Sequence, residues 1–404
     1  MPKKTIADLA PDSLHGRRVF VRVDYNVPIG NGLVTDDTRI RATLPTLRLL
    51  VDAGARVVLA SHLGRPDGQW DDALSLAPVA ERLEQLIGVP VRFVKDIVGA
   101  DAKAAIAALR PGELLLLENV RFLAGEEAND PELSAALASN ADIYVNDAFG
   151  TAHRAHASTC GVADIMRQTG RPAVAGLLMD RELRFLGDAV DRPARPFTAI
   201  LGGAKISGKI DVLENLLPRV DHLLIGGAMA NTFFRALGLE TGRSLIEPDR
   251  VDMARTLLER AGGKVVLPVD CVVAGETQPG TRTWLLDRDD VPPEGSIVDI
   301  GPKSVATFRD FIERSRTILW NGPMGRFEIA DFADGTVGVA HAVADATSRG
   351  AVTVVGGGDT AAAVESAGVA GRVTHVSTGG GASLEFLEGR TLPGVAVLDD
   401  AERA

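Results

Sequence analysis

Short runs of β-branched and leucine residues alternate with amphipathic stretches from one end of this chain to the other, and that alternation restricts the fold most. A strand that returns parallel to its predecessor needs a crossover of a dozen or more residues, usually a helix. Strands separated by helical stretches therefore mean parallel sheets built from βαβ units. In the first half, Arg18–Val23, Arg56–Ala60, Val91–Val94, Glu113–Leu117 and Asp142–Val145 read as buried strands, with helical patterns such as Ile40–Ala53 and Leu76–Ile87 between them. The second half repeats the scheme with Phe197–Leu201, His222–Ile225, Lys264–Pro268, Thr317–Trp320, Val352–Val355 and His375–Val376, and helices such as Ile206–Leu217 and Gly335–Ser348. Leu177–Val190 reads as one long amphipathic helix, and the prolines at 193 and 196 favour an extended connector after it. The predicted architecture is α/β: two doubly wound Rossmann-like domains with parallel sheets, 1–175 and 196–390, joined by an interdomain helix and hinge at 176–195.

Composition narrows the function. An apolar fraction of 46% is globular, and no stretch approaches the ~18 uninterrupted apolar residues of a membrane span. MPKKTIADLAPD has no apolar run behind its lysines, so no secretory signal is expected. The two cysteines, Cys160 and Cys271, lie in no metal or redox spacing, which suits a reducing cytoplasm. A net charge of −11 argues against nucleic acid or anionic membrane as partners, though a local basic pocket remains open.

In doubly wound sheets ligands bind beyond the carboxyl ends of the strands, and the motifs lie there. Four glycine turns follow strands of the second half: Gly202-Gly203-Ala204-Lys205, Gly226-Gly227-Ala228, Gly356-Gly357-Gly358-Asp359-Thr360 and Gly379-Gly380-Gly381-Ala382-Ser383. One such turn serves plain helix–strand packing; four in one domain point to a polyphosphate site, because glycine admits close backbone approach and the following helix offers free amides. Gly203 to Lys209 matches P-loop spacing up to the lysine, but Ile210 stands where a magnesium-binding Ser or Thr is required, so the P-loop is rejected. Lys205 and Lys209, four apart at an expected helix start, are placed to face the same way. Asp359 suits either an N-cap or a lone magnesium carboxylate beside phosphate.

The first half puts polar groups at the same strand ends. Asp24 and Asn26 follow the first strand and Arg39 opens the next helix, while Ser61–Pro66, Glu118–Phe122 and Asn146–Arg154 follow later strands. Their convergence brings His62, Arg65, Arg121 and Arg154 together as a site for a small phosphorylated or carboxylated anion. His153 and His156 lack a third ligand and are read as loop packing.

Together these motifs resemble phosphoglycerate kinase in nine ordered blocks: Val23–Pro28, Ser61–Pro66, Glu118–Phe122, Asn146–His156, Gly202–Lys209, Gly226–Phe233, Trp320–Glu328 (WNGPMGRFE), Gly356–Thr360 and His375–Ser383 (HVSTGGGAS). Departures are small: Tyr25 where Phe is common, and Ala228 where Gly is. The resemblance implies a cytoplasmic monomer that moves a phosphoryl group between ATP and the carboxylate of 3-phosphoglycerate, with Mg2+, and with the tail 391–404 returning to the first domain. Asp24, Asn26, His62, Arg65, Arg121 and Arg154 would hold 3-phosphoglycerate, with Arg39 at its reacting carboxylate. Lys209, Glu328, Gly357, Gly358, Asp359 and Thr360 would bind nucleotide, Asp359 also the metal. Lys205, Gly379 and Gly380 would act on the transferring group. The lobes would close about the connecting helix to bring the reacting atoms to ~3–3.5 Å. A dinucleotide oxidoreductase would need G-x-G-x-x-G, which none of the four turns has. A non-catalytic metabolite-binding protein on the same fold is the remaining alternative.

Overall fold

The computed structural model describes residues 2–401. The chain divides into two compact units, Met1–Leu183 with Thr391–Ala404, and Arg184–Arg390. The division falls inside the helix Leu177–Asp191. Residues 402–404 of the tail lie outside the described residues.

The first unit is built on six parallel strands in the spatial order Val91–Val94, Leu114–Leu117, Arg56–Ala60, Arg18–Val23, Ile143–Asp147, Ala173–Ala175. RVFVRV in Arg18–Val23 is buried at five of its six positions, as befits a strand covered on both faces. One covering helix is Thr38–Asp52, whose Ile40, Leu44, Leu47 and Leu50 recur at helical spacing and join a core with Val19, Val21 and Leu59. Strand order reverses at Arg18–Val23: its sequence successor pairs on one side and Ile143–Asp147 on the other. A crevice therefore opens beyond its carboxyl end. From the tail, Gly394 N donates to Ala152 O at 2.8 Å and Asp399 N to Ala173 O at 2.8 Å.

In the second unit the order is Val265–Val266, His222–Ile225, Phe197–Leu201, Thr317–Asn321, Val352–Gly356, His375–Val376, again parallel. The reversal lies between Phe197–Leu201 and Thr317–Asn321. Trp320, fully buried in the core with Phe308 and Val343, donates its indole N–H to Gly322 O at 2.8 Å and so fixes the turn at that reversal.

The structure departs from the sequence expectations in four places. The strand expected at Lys264–Pro268 shrinks to Val265–Val266. The helix expected from Ile206 starts as a 3-10 turn, Ser207–Lys209, and is α-helical only over Ile210–Leu216. The second unit also carries an antiparallel sheet, Thr283–Asp287, Asp270–Ala274, Ser296–Ile300, which breaks the all-parallel scheme. Thr283–Asp287 has four exposed positions of five, so no inside–outside alternation marks it. The hairpin Ile29–Gly30 with Leu33–Val34 was likewise not expected. Among the described residues no helix is long and apolar enough to cross a membrane.

Candidate active site

In the first unit, Asp24 sits at the crevice where Arg18–Val23 ends. Its Oδ2 accepts from Arg39 at 2.8 Å, and its Oδ1 lies 3.8 Å from His62 Nδ1. Asn26 Oδ1 accepts from Gly64 N at 3.0 Å, and buried Arg121 donates to Gly64 O at 2.8 Å while pairing with Glu127 at 3.0 Å. Asn119 adds a brace, donating to Leu63 O at 2.7 Å and Leu74 O at 3.0 Å. Loops from three strand ends are thus tied together by side chain–backbone bonds.

Electrostatics show how tightly the cations gather. Burial holds His62 well below the usual imidazole range, and the charges of Arg22, Arg121, Arg39 and His156 push the same way. His156 is pulled down to about 4 by burial, then by Arg121, Arg22 and Arg154. The structure therefore brings Asp24, Arg39, His62, Arg121 and Arg154 into one field, with Asn26 attached through Gly64. Arg154 is exposed and donates to His153 Nε2 at 3.2 Å. Arg65 follows Gly64 directly and extends into solvent. Among the described residues Arg65 stands free, while Arg154 is held only through His153.

In the second unit the glycine turns form a floor by backbone contact. A Cβ on Gly202 would lie 2.1 Å from Pro323 O, and one on Gly227 would lie 2.5 Å from Gly203 N. Gly203 N donates to Pro323 O at 3.0 Å, and Gly227 N to Met324 O at 2.9 Å. Above this floor opens a cleft of about 840 Å³ whose lining includes Gly203, Ala204, Gly227, Glu328 and Asp359, with Phe234, Leu245 and Met324 as apolar wall. Glu328 and Asp359 are exposed.

Gly357, at φ +90°, turns the chain into the helix Gly358–Ser366, whose first-turn amides are free of intrahelical partners. Thr360 is buried in that turn, and its hydroxyl accepts from Gly322 N at 2.6 Å. Lys209 Nζ donates to Asn321 O at 2.8 Å and also to Asn321 Oδ1, while Asn321 Nδ2 donates to Gly356 O at 3.0 Å. Burial lowers Lys209 to about 8, against the attraction of Asp359. Lys205 is exposed before the 3-10 turn, and its charge is felt by Glu247. The two lysines do not share a helix face, since the α-helix starts only after both. Gly379 N donates to Ser377 Oγ at 3.1 Å, and Gly380, at φ +50°, precedes the helix Gly381–Leu387. Neither lines the cleft.

The residues fit a magnesium–nucleotide pair. One exposed carboxylate, Asp359, stands at a glycine turn with free amides, and no group of three acidic, His or Cys ligands occurs among the described residues. Magnesium suits that arrangement, since it takes few carboxylates plus phosphate oxygens and water.

Sequence reasoning missed four buried polar residues. Arg22, Glu126 and Ser158 form a network behind His62. Asp299 lines the cleft, accepts from Gly335 N at 2.6 Å and Ile300 N at 2.9 Å, and is pushed up to about 8 by burial. The signal for Arg22 was available: a charge inside an otherwise apolar central strand needs a partner.

A family model described as phosphoglycerate kinase matches residues 6–390. Phosphoglycerate kinase of Synechococcus elongatus is 54% identical over 99% of this chain and all of that protein. That of Dictyoglomus turgidum is 53% identical, also over 99% of this chain and all of its own length. Among solved structures, phosphoglycerate kinase from Coxiella burnetii superposes with a TM-score of 0.88 at 42% identity, covering 98% of each chain. That from Pyrococcus horikoshii does so at 0.84 and 35% identity, with the same coverage.

Proposed function

We propose, for a chain that belongs to the phosphoglycerate kinase family, a reversible phosphoryl transfer between 1,3-bisphosphoglycerate and ADP that yields 3-phosphoglycerate and ATP. The acceptor in the reverse direction is a carboxyl group. The observation that carries this reading is the cationic field at the strand reversal of the first unit, where Arg22, Arg39 and Arg121 all act on one imidazole. Forked guanidinium contacts suit a phosphate and a carboxylate on one small molecule.

In this reading, Asp24, Asn26, His62, Arg65, Arg121 and Arg154 hold 3-phosphoglycerate, and Arg39 meets its reacting carboxylate. Lys209, Glu328 and the turn Gly357, Gly358, Asp359, Thr360 hold the nucleotide. The Thr360 hydroxyl still has its proton to donate, because its oxygen accepts from Gly322. Asp359 would hold Mg2+, which when bound neutralises charge on the phosphates. Lys205, with the amides of Gly379 and Gly380, meets the moving group. Transfer of this kind asks chiefly for alignment and cancellation of spreading negative charge, so no covalent intermediate is needed. With one substrate assigned to residues 1–183 and the other to 184–390, turnover includes a step in which the bound substrates meet. A reducing cytoplasm fits two buried, unpaired cysteines, and a monomer is what the family resemblance implies.

The test is a coupled assay with ATP, Mg2+ and 3-phosphoglycerate. Turnover is expected; substrate binding without turnover would favour a metabolite-binding protein instead.

A further inference from the structure

Arg22 lies on the central strand of the first unit, opposite Ala60 on one neighbour and Asn146 on the other. At 1% exposure its guanidinium does not reach solvent. Its Nε donates to Ser158 Oγ at 2.7 Å, one terminal nitrogen donates to Val23 O, and the other lies 3.3 Å from His62 Nδ1. Ser158 Oγ donates in turn to Glu126 Oε1 at 2.5 Å, and Ser158 N donates to the second oxygen of that fully buried carboxyl at 2.9 Å. The guanidinium can only donate, so the chain has a direction: Arg22 gives to the Ser158 oxygen, and the Ser158 hydroxyl gives to Glu126.

We propose that Arg22 is a positioning residue: braced by Ser158 and Glu126, it holds the His62 ring in one orientation and one tautomer, with Nδ1 as acceptor and the Nε2 proton left for the anion bound by the cluster. The proposal deepens the kinase reading and rests on it only for the identity of that anion. A guanidinium has no acceptor, so a histidine nitrogen in hydrogen-bond contact with it must accept. A neutral imidazole that accepts at Nδ1 carries its proton on Nε2. His62 is 4% exposed, and Nε2 has no hydrogen-bond partner among the described residues. The groups facing the ring come from every element around it. Arg22 stands on the strand, Arg39 on Thr38–Asp52, Arg121 on the turn Val120–Phe122, and His156 before the segment Ala157–Gly161. Asp24 opposes them from 3.8 Å, with its other oxygen already taken by Arg39, and the buried Glu126 carboxyl lies farther back behind Ser158. With burial added, the ring stays neutral, and a donor rather than a cation is presented to the ligand.

The experiment is a 15N–1H correlation of the histidine side chains in the substrate-free protein between pH 5 and 8, with His62 assigned by H62Q. The expected wild-type spectrum shows His62 protonated at Nε2 alone and not titrating. In R22M the ring is expected to populate both tautomers and to titrate. The KM for 3-phosphoglycerate should rise about tenfold, the loss of one hydrogen bond, while the KM for ATP stays put. S158A, which keeps the guanidinium and removes its brace, should move both readouts part of the way. Should R22M fail to fold, the wild-type spectrum and S158A still decide. A wild-type His62 protonated at Nδ1, or titrating near its ordinary value, overturns the proposal; so does an unchanged tautomer and KM in the variants. Because the spectrum needs no substrate, absence of wild-type turnover would strike the kinase reading alone.

Discussion

Gly227→Ala tests whether the floor of the cleft is set by backbone contact. Gly227 has φ +68°, and an added Cβ would meet Gly203 N at 2.5 Å, Gly203 O at 2.6 Å and Pro323 O at 2.9 Å. All three are main-chain atoms, so no side chain can swing aside. Holding alanine in the left-handed region costs about 1–2 kcal/mol. Crowding a packed site adds about 1–3 kcal/mol. The sum is about 2–5 kcal/mol, and for a unit the size of Arg184–Arg390 each kcal/mol lowers Tm by about 2–4 °C. Calorimetry should show the second unit melting about 4–20 °C earlier. Nucleotide affinity should fall as well, because relief can come only by parting the turns at Gly203 and Pro323. Gly371→Ala is the control of opposite sign: no atom lies within 4 Å of its Cβ and its φ is not positive, so the alanine should stabilise by about 0.4–1 kcal/mol. If G227A melts within a degree of wild type and binds ATP normally, the three turns do not bear on one another as argued.

Arg65→Ala should raise the KM for 3-phosphoglycerate with kcat and the KM for ATP little changed, since the residue is an exposed arm bracing nothing; steady-state kinetics checks this. Lys205→Ala should lower kcat by about 3–4 kcal/mol of barrier, the loss of one oxyanion-type donor, while ATP still binds; single-turnover rates and titration separate the two. Asp299 is held near 8 in the fold against 3.8 for the free group, so the folded state binds the extra proton and wild-type stability declines as pH rises through that interval. Asp299→Asn removes the titration, and its stability relative to wild type should improve from pH 5 to 9 in urea melts.

The sheets were legible because their strands are buried on both faces and announce themselves as apolar runs, Leu114–Leu117 most plainly. The antiparallel strands at 270–300 carried no such mark: Thr283–Asp287 is mostly exposed, and Asp270 and Asp299 interrupt its partners with carboxyls that cap backbone amides at Ser304 and Gly335. The hairpin at 29–34 was missed although Asn31-Gly32 is the dipeptide that makes such turns. Candidate site residues at strand ends were visible because a polar group after an apolar run has few structural reasons to be there. Arg22 was passed over for the converse reason: it lies inside the strand, where pattern reading looks for apolar residues, although a charge there needs a partner. Lys205 and Lys209 show a third limit. Spacing of four implies a shared face only if the helix has already begun, and here it has not.

The two clusters also carry their charge differently, and this yields a pH dependence for nucleotide binding. In the first unit burial and neighbouring charge keep the His62 and His156 imidazoles neutral, so positive charge rests on guanidinium groups that keep it at any physiological pH. In the second, Lys209 is a half-buried lysine at the strand reversal, and desolvation brings it to about 8 while Asn321 accepts two of its protons. A polyphosphate beside it favours the ammonium and raises that pKa. Binding therefore takes up a proton wherever unliganded Lys209 is partly neutral, and affinity falls as pH climbs above 8. Calorimetric titration of ATP at pH 8.5 in two buffers of different ionisation enthalpy should report net proton uptake, which Lys209→Met abolishes together with the alkaline loss of affinity. Equal heats in the two buffers for the wild-type protein would mean that Lys209 is fully charged before nucleotide arrives, and the contrast between the clusters would then be wrong.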